Sequence, residues 1–472
     1  MISSSEEENR TVSNNRPMAV LAICFCLWGL AELLFPPTGD SFDRTVPKLT
    51  HAAIMATCLY YTIADMRHFS RMIKFRSAMI FGGILSLILI LFPIFSYDRM
   101  NDDLGPFLIQ KFYTGCYTIE WYAVFLFCAV HIQIDPRSYR TFLKFIPVIF
   151  FFFFWAGHRL TNMNVKPVAS EEFQNGIYAG YYIACFFPFI WDLSSRIFKF
   201  ILFILLIYGV IYSMKRGAML CLVSSLFLSF LTYYLFFAEG IKRIPYFFAL
   251  SILLSIMIGV LVYSISMKRE TFNHRMIDVQ SGSGRIDLYK RTWATFKSLP
   301  PDEKATGTRT PSKQIRAHND FLFVLICYGI VGCIFYILYD VGLLSICFHA
   351  VTSKFPMLPG LAAAIGNIAI IEMVSYGIEG HAFVICCAYV GIVQGSLISE
   401  QEEHDNFGEY SEVGDYDEPQ EGELLFDDNL EYLDHDENDY EHGSSSVYFY
   451  DECPPTKNLF PQAYKDIDGE PK

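Results

Sequence analysis

Long runs of apolar residues, uninterrupted by charge, constrain this chain more than any other feature. Two of them, 201–212 and 250–263, contain no charged side chain and show no alternation that would leave one face for water. A backbone inside lipid must satisfy its own hydrogen bonds, and a helix does this within a single segment. With 53% hydrophobic residues and 44 Phe in a chain of 472, these runs predict an all-α, polytopic membrane protein.

The runs predict about twelve transmembrane helices, because a helix needs roughly 20 residues to cross the hydrocarbon core. The spans are placed at 17–36, 46–66, 77–96, 110–130, 142–157, 175–193, 197–213, 217–237, 245–266, 319–348, 357–375 and 381–398. The chain then divides into an N-terminal segment 1–16, helices one to nine within 17–266, a loop 267–318, helices ten to twelve within 319–398, and a tail 399–472.

Lysine and arginine are distributed unevenly between the short loops. Twelve lie on one side of the predicted membrane and eight on the other. Because cytoplasmic loops carry the excess of these residues, the first side is assigned to the cytoplasm. An even number of spans then puts both termini in the cytoplasm. The large loop 267–318 faces the outer side in this arrangement, although it carries eleven basic residues.

The C-terminal tail, 399–472, differs in composition from the rest of the chain. It holds 24 acidic residues and three lysines, so the net charge of −13 for the whole chain divides into −21 for the tail and +8 for the membrane body. Few aliphatic residues and dense like charge are typical of disorder. We expect a disordered tail that is solvated away from anionic lipid, or one that docks a cytoplasmic partner.

Basic side chains and one histidine stand where polar loops meet apolar runs. Lys215-Arg216 interrupts an apolar stretch that is too long for one crossing, which predicts a tight hairpin with this pair at its outer tip. Arg285 and His318 lie in the outer loop, so all four share a membrane face. The planar fork of arginine suits diphosphate oxygens, and histidine accepts protons near neutral pH. The alternative is a basic surface that attracts anionic lipid headgroups.

Three motifs around these residues resemble the O-antigen ligase and polymerase superfamily. They are SMKRGA at 213–218; SGR at 283–285, followed by Trp293; and AHNDFL at 317–322, followed by YGIVG at 328–332. The resemblance covers roughly 201–344. Members of the family often carry a Gly-x-Gly pattern before the histidine, where this chain has Gly307-Thr-Arg309.

The resemblance implies a metal-independent, GT-C-like glycosyltransferase without cofactor, in a bacterial inner membrane. Such an enzyme takes a glycan from undecaprenyl diphosphate on the periplasmic side and transfers it to an acceptor. The acceptor of a ligase is a lipid-A core, that of a polymerase is another glycan, and that of related enzymes is a protein. It further implies that Arg216 and Arg285 hold the diphosphate and that His318 acts on the acceptor hydroxyl. Further phosphate contacts would come from Lys215, Arg309 and Arg316. The expected partners are the lipid bilayer, the undecaprenyl-diphosphate-linked glycan and its acceptor. No nucleic-acid partner is expected.

Two carboxylates inside predicted spans, Glu120 and Glu372, suggest a different class of protein, a secondary carrier. Carriers commonly consist of two related halves, and the halves of this chain show no internal repeat. The sequence therefore favours the transferase over the carrier.

Overall fold

The protein is described here from a computed structural model, which covers residues 16–35, 45–69, 73–95, 105–163, 179–213, 215–238, 285–308, 319–374 and 381–412, with a few further residues between 244 and 255. Within these ranges the backbone forms helices and short turns, with no strand. The prediction of an all-α protein is therefore confirmed for the part of the chain that the structure describes.

Fourteen helices are labelled here in chain order. They are α1 (Arg16–Leu34), α2 (Thr45–Phe69), α3 (Ser77–Phe95), α4 (Gly105–Ile134), α5 (Ser138–Met163), α6 (Ala179–Cys185), α7 (Phe187–Asp192), α8 (Arg196–Tyr212), α9 (Arg216–Phe236), α10 (Arg285–Ser298), α11 (Pro301–Thr306), α12 (Asp320–Thr352), α13 (Leu358–Val374) and α14 (Ala382–Glu412).

Six segments of these helices are long and apolar enough to cross a membrane: Arg16–Leu34, Thr114–Ile134, Ser138–Arg159, Gly217–Phe236, Asp320–Thr352 and Ala382–Glu402. Two shorter helical segments, Ser77–Phe92 and Leu358–Val374, are also apolar. These segments show that the chain is a polytopic membrane protein, while the count of twelve transmembrane helices stays a prediction. The predicted span 245–266 lies largely outside the described residues, and the predicted span 175–193 consists of the two short helices α6 and α7.

The last apolar helix, α14, lies at the centre of the bundle. Of its membrane-length part, 94% is buried by the rest of the protein. Glycines make this possible, because a side chain at Gly391 or Gly395 would overlap the backbone carbonyls of Phe125 and Ala129 in α4. Small residues allow two helix backbones to approach closely inside a membrane. The parts of α4 and α14 that face each other at these glycines therefore lie in the interior of the protein.

The helix α14 continues beyond its apolar part to Glu412, which corrects one prediction. The tail was expected to be disordered from residue 399 onward, but its first residues are helical. Glutamate and glutamine are good helix formers, and extending an existing helix avoids the cost of nucleating a new one. The rest of the predicted tail, 413–472, lies outside the described residues.

A pair of antiparallel helices, α9 and α13, fixes which helix ends share one end of the bundle. The Ser225 hydroxyl donates to Asn367 Oδ1 at 2.8 Å, and further along α9 the Ser229 hydroxyl donates to the Pro359 carbonyl at 2.7 Å. Residue numbers therefore rise along α9 as they fall along α13. The beginning of α9, at Arg216, and the end of α13 lie at the same end of the bundle, which we call the site end.

Candidate active site at one end of the helical bundle

The Lys215-Arg216 pair lies at the tip of a helical hairpin. Helix α8 ends at Tyr212 and α9 begins at Arg216, so the tight hairpin predicted from the sequence is confirmed. Ser213 closes the turn, because its hydroxyl donates to the Val210 carbonyl at 2.6 Å and accepts from the Lys215 amide at 3.4 Å. Arg216 is the first residue of its helix, and its side chain lies outside the described part of the structure.

The short helix α6 supports this tip through glycine contacts. A side chain at Gly217 would overlap the Tyr181 hydroxyl, and one at Gly180 would overlap the Ser213 hydroxyl. The Lys215 ammonium lies over the Tyr181 ring, 5.8 Å from its centroid, a distance at which a cation and an aromatic face attract each other. Close backbone packing therefore explains why a glycine follows the Lys-Arg pair.

Helix α10 brings Arg285 to the same region of the bundle. Arg285 is its first residue, and its side chain, like that of Arg216, is outside the described part. One turn later, the Tyr289 hydroxyl donates to the Met373 carbonyl at 3.0 Å. Because Met373 belongs to the last turn of α13, the beginning of α10 lies at the site end.

Apolar contacts at the end of α10 also hold this helix. Phe296 and Leu299 are buried, whereas Trp293 is 45% exposed. Lys297 lies over the Trp293 ring, 5.5 Å from its centroid. Of these two aromatic side chains, only that of Phe296 therefore faces the protein.

A break in α12 receives the end of the short helix α11. Gly329 adopts φ 69° and ψ −167° inside α12, so the helical hydrogen bond to the Ile326 carbonyl is lost. The Thr308 amide takes its place and donates to that carbonyl at 2.8 Å. Side chains at Gly307 or Gly329 would overlap the carbonyls of Cys327 and Ala305, respectively. Two glycines with positive φ therefore allow α11 to dock backbone to backbone into the break.

The segment that carries the predicted histidine is attached to α12 at both ends. It leaves from Thr308, bound at Ile326, and returns at Asn319, whose side-chain oxygen caps α12 by accepting from the Leu322 amide at 3.0 Å. The two attachment points are about 10 Å apart along the helix axis. Arg309, Arg316 and His318 lie outside the described residues, but His318 is covalently joined to the capping residue Asn319.

A buried tyrosine ties the beginning of α12 to the end of α13. The Tyr336 hydroxyl donates to Glu372 Oε1 at 2.8 Å and lies 3.3 Å from Asp320 Oδ2. Asp320 is the first residue of α12, so this contact fixes where the segment carrying His318 ends. Glu372, which suggested a carrier from the sequence, thus belongs to a hydrogen-bonded network that joins two helices.

These contacts bring three predicted site segments to one end of the bundle. Arg216 lies about 13 Å along α9 from the Ser225 contact, and Met373 lies about 9 Å along α13 from Asn367 in the same direction. The beginnings of α9, α10 and α12 therefore surround the end of α13. How the side chains of Arg216, Arg285 and His318 are arranged there stays a prediction.

A second polar cluster was missed by the sequence analysis. His51 in α2 lies with its Nδ1 2.5 Å from Glu120 Oε1 in α4, and His381 Nδ1, just before α14, lies 3.4 Å from Glu120 Oε2. The two imidazole rings stack with centroids 3.4 Å apart. The sequence marked Glu120 as a carboxylate inside a predicted span, but nothing local in it indicates that it meets two histidines so far away along the chain.

The His51–Glu120–His381 cluster lies at the site end, because only the short connection 375–380 separates His381 from the end of α13. The ring of Trp28 packs edge-on against His51, with centroids 4.6 Å apart, and against Tyr182 at 5.7 Å. In α6, Tyr182 directly follows Tyr181, the residue whose ring lies under the Lys215 ammonium. Helix α6 therefore contacts Lys215 through Tyr181, and through Tyr182 it contacts the Trp28 ring that packs against the cluster.

Among the described residues, this cluster is a group of histidines and carboxylates with metal-ligand spacing, since one donor atom from each residue lies within 4.8 Å of the others. Within it, His51 Nδ1 lies within hydrogen-bond distance of Glu120, whereas His381 Nδ1 makes no hydrogen bond within the described part of the structure.

Comparison with protein families finds one match in this region. Residues 201–337 match the family model described as O-antigen ligase. Among curated proteins, no sequence matches this chain. The matched segment covers less than a third of the chain and runs from α8 into α12, so it includes Arg216, Arg285 and His318. The resemblance to the O-antigen ligase and polymerase superfamily is therefore confirmed for this segment.

Proposed function

Starting from the O-antigen ligase match, we propose that this protein transfers a glycan from undecaprenyl diphosphate to a lipid-A core on the periplasmic side of a bacterial inner membrane. The observation that carries the proposal is the convergence of three helix beginnings, those of α9, α10 and α12, at one end of the bundle. The first two start with Arg216 and Arg285, and the third follows His318 within two residues. Both termini are then cytoplasmic.

The electrostatics of this end suit an anionic leaving group. The N-terminus of a helix carries about half a positive charge on its free amides, and three such ends lie together here. Arg216 and Arg285 would add two guanidinium groups, each able to bind phosphate oxygens through two parallel hydrogen bonds. Lys215, Arg309 and Arg316 would contribute further positive charge. Groups fixed by the fold can neutralise a leaving diphosphate without reorganisation during the reaction.

The transfer itself exchanges one carbon–oxygen bond for another. The acceptor hydroxyl oxygen attacks the anomeric carbon of the donor sugar, and the bond from that carbon to the diphosphate breaks, with its electron pair going to the diphosphate. The hydroxyl proton goes to His318. Because Asn319 caps α12 and Asp320 is tied to Glu372 through Tyr336, the chain next to His318 is fixed, as a positioned base requires.

A polymerase or a protein glycosyltransferase of the same superfamily would use the same donor site with another acceptor. Loss of a ligase leaves a bare lipid-A core in cells, whereas loss of a polymerase leaves the core with a single repeat. Gel analysis of surface glycan from cells that lack the protein therefore separates the two. We expect the bare core.

The proposed roles are tested by measuring transfer in proteoliposomes that contain undecaprenyl-diphosphate glycan and lipid-A core. Arg216→Ala, Arg285→Ala and His318→Ala are each expected to reduce the rate by about 100-fold or more, as loss of a group that stabilises the transition state does. Arg196→Ala is the matched control, because Arg196 also begins a helix but lies at the opposite end of the bundle. Wild-type rates in all three site variants would refute the proposed mechanism.

A further inference from the structure

Helices α2 and α4 are joined by two buried histidine–carboxylate pairs, which differ in the number of donor atoms around them. In one pair, His51 Nδ1 lies 2.5 Å from Glu120 Oε1, and in the other, His131 Nδ1 lies 2.9 Å from Asp65 Oδ2. Both histidines are 5% exposed. Among the described residues, only the first pair has a further histidine, His381, with which it forms a group with metal-ligand spacing. The second pair therefore shows what such a link does without a third donor.

The third member of the cluster has no hydrogen bond that explains its position. His381 Nδ1 lies 3.4 Å from Glu120 Oε2, and this buried nitrogen makes no hydrogen bond within the described part of the chain. A buried polar atom without a partner costs free energy. The link between α2 and α4 needs only His51 and Glu120, so it does not account for the second imidazole. An ion that accepts the lone pair of this imidazole would account for it.

The charges around the cluster suit a divalent cation. Within the part of the chain that the structure describes, the ionisable groups that act on Glu120 are the two histidines, and the carboxylate of Glu32 in α1 acts on His381. Glu32 also accepts a hydrogen bond of 3.3 Å from Trp28 Nε1, and the Trp28 ring packs edge-on against both imidazoles. Buried charges in proteins are paired or coordinate metals. One divalent cation balances these two carboxylates when the imidazoles are neutral.

The distances in the cluster fit such an ion after a small adjustment. An ion about 2.1 Å from two donors in a tetrahedral site keeps those donors about 3.4 Å apart. His381 Nδ1 and Glu120 Oε2 already have this separation, whereas His51 Nδ1 and Glu120 Oε1, at 2.5 Å, must separate by about 0.9 Å. The two rings, which stack with an interplanar angle of 14°, must also tilt so that their in-plane lone pairs meet the ion. In the proposed site the side chains make these adjustments and the helices keep their packing.

His381 also provides a path by which an ion can enter. Its side chain is 19% exposed, whereas those of His51 and Glu120 are 6% and 4% exposed. It directly precedes α14 and lies at the site end with the rest of the cluster. An ion from the water at that end therefore meets His381 first, and an entry path is one requirement of a metal site.

We propose that the His51–Glu120–His381 cluster binds a divalent transition-metal ion, with Zn²⁺ as the ion that best suits its donors. One nitrogen of each histidine and one oxygen of Glu120 are the ligands, and Glu32 or a water molecule supplies the fourth. The ion joins α2, α4 and the residue before α14 at the site end. It has a structural role, so the inference goes beyond the proposed function and does not depend on glycan transfer.

The test measures Zn²⁺ binding to the full-length protein, purified in detergent without a histidine tag. After equilibration with Zn²⁺ and removal of the unbound ion, elemental analysis should find about one ion per wild-type chain. His51→Ala and His381→Ala should each weaken binding by about 100-fold or more, because loss of even an outer-shell partner costs about 10- to 100-fold. His131→Ala is the matched control, since it removes an equally buried histidine from the other link between α2 and α4, and it should keep the ion.

Two variants of similar shape provide a second comparison. Glu120→Gln removes a charged ligand and should lose the ion, whereas Asp65→Asn makes the same change at the other pair and should keep it. Thermal unfolding reports on the same binding, because an ion that binds only the folded protein raises the melting temperature. Zn²⁺ should raise it in the wild type and in Asp65→Asn, but not in Glu120→Gln. These variants decide the question even if the alanine variants fail to fold.

A wild-type protein that retains no more Zn²⁺ than Glu120→Gln would overturn the inference. Zn²⁺ that stays bound in both Glu120→Gln and His51→Ala would overturn it as well, because the ion would then occupy other residues. Failure of the proposed function looks different: a protein that binds Zn²⁺ through this cluster but transfers no glycan leaves the metal site standing.

Discussion

Replacing Gly329 by alanine tests whether the docking of α11 into the break of α12 positions the histidine-bearing segment. Gly329 has a φ of 69° and a ψ of −167°, a conformation found essentially only in glycine, which costs another residue roughly 1–3 kcal/mol. The added methyl group would also overlap the Ala305 carbonyl, so α11 must move away from α12. The hydrogen bond from the Thr308 amide to the Ile326 carbonyl, 2.8 Å long, is then lost at a further cost of about 1 kcal/mol.

Together these terms disfavour the docked arrangement by about 2–4 kcal/mol, which corresponds to a shift of roughly 30- to 700-fold in the ratio of docked to undocked protein. Hydrogen exchange of the Thr308 amide in lipid nanodiscs measures this ratio directly, and exchange should accelerate by that factor. Glycan transfer should fall in parallel, because His318 follows Thr308 by only ten residues along the chain.

The control is Ile330→Ala, which changes the neighbouring residue, 45% exposed, without touching α11. It should leave both the exchange of Thr308 and the transfer rate near wild type. Gly329→Ala with unchanged Thr308 protection would refute the docking argument. Accelerated exchange with full transfer activity would show instead that docking does not position the histidine.

Two further predictions concern contacts at the site end. Gly217→Ala should lower transfer because its methyl group overlaps the Tyr181 hydroxyl; adding Tyr181→Phe should restore part of the rate, and an equally inactive double variant would contradict this reading. Tyr336→Phe removes the hydroxyl that bonds Glu372, which should destabilise the protein by about 1–3 kcal/mol in thermal unfolding monitored in detergent; an unchanged melting temperature would contradict it.

Local sequence patterns predicted the elements of this protein better than the contacts between them. The apolar runs predicted an all-α protein, and the charged pair inside one such run predicted the hairpin between α8 and α9. Each of these depends on neighbours within a few turns, where hydrophobic periodicity and the cost of burying charge in lipid decide the outcome.

Long-range contacts explain what the sequence did not reveal. The break at Gly329 leaves the Ile326 carbonyl to accept a hydrogen bond from the Thr308 amide at the end of α11. The sequence shows the glycine but does not show which residue donates this bond. The cluster at Glu120 joins α2, α4 and the residue before α14, and its nearer histidine along the chain, His51, is already 69 residues away. Helix α14 extends past residue 398 because helix propensity outweighed the acidic composition that predicted disorder. The family motifs located the candidate site, but its geometry comes from packing.

Sidedness is the most direct test of the whole account, because a transferase that uses a periplasmic donor needs its site end outside the cytoplasm. Single cysteines can be introduced at Trp293, in α10 at the site end, and at Lys354, beyond the far end of α12. In intact spheroplasts, a membrane-impermeant thiol reagent should label Trp293→Cys above the background of the parent protein and leave Lys354→Cys unlabelled. Labelling of Lys354→Cys alone would place the site end in the cytosol and contradict the proposed reaction.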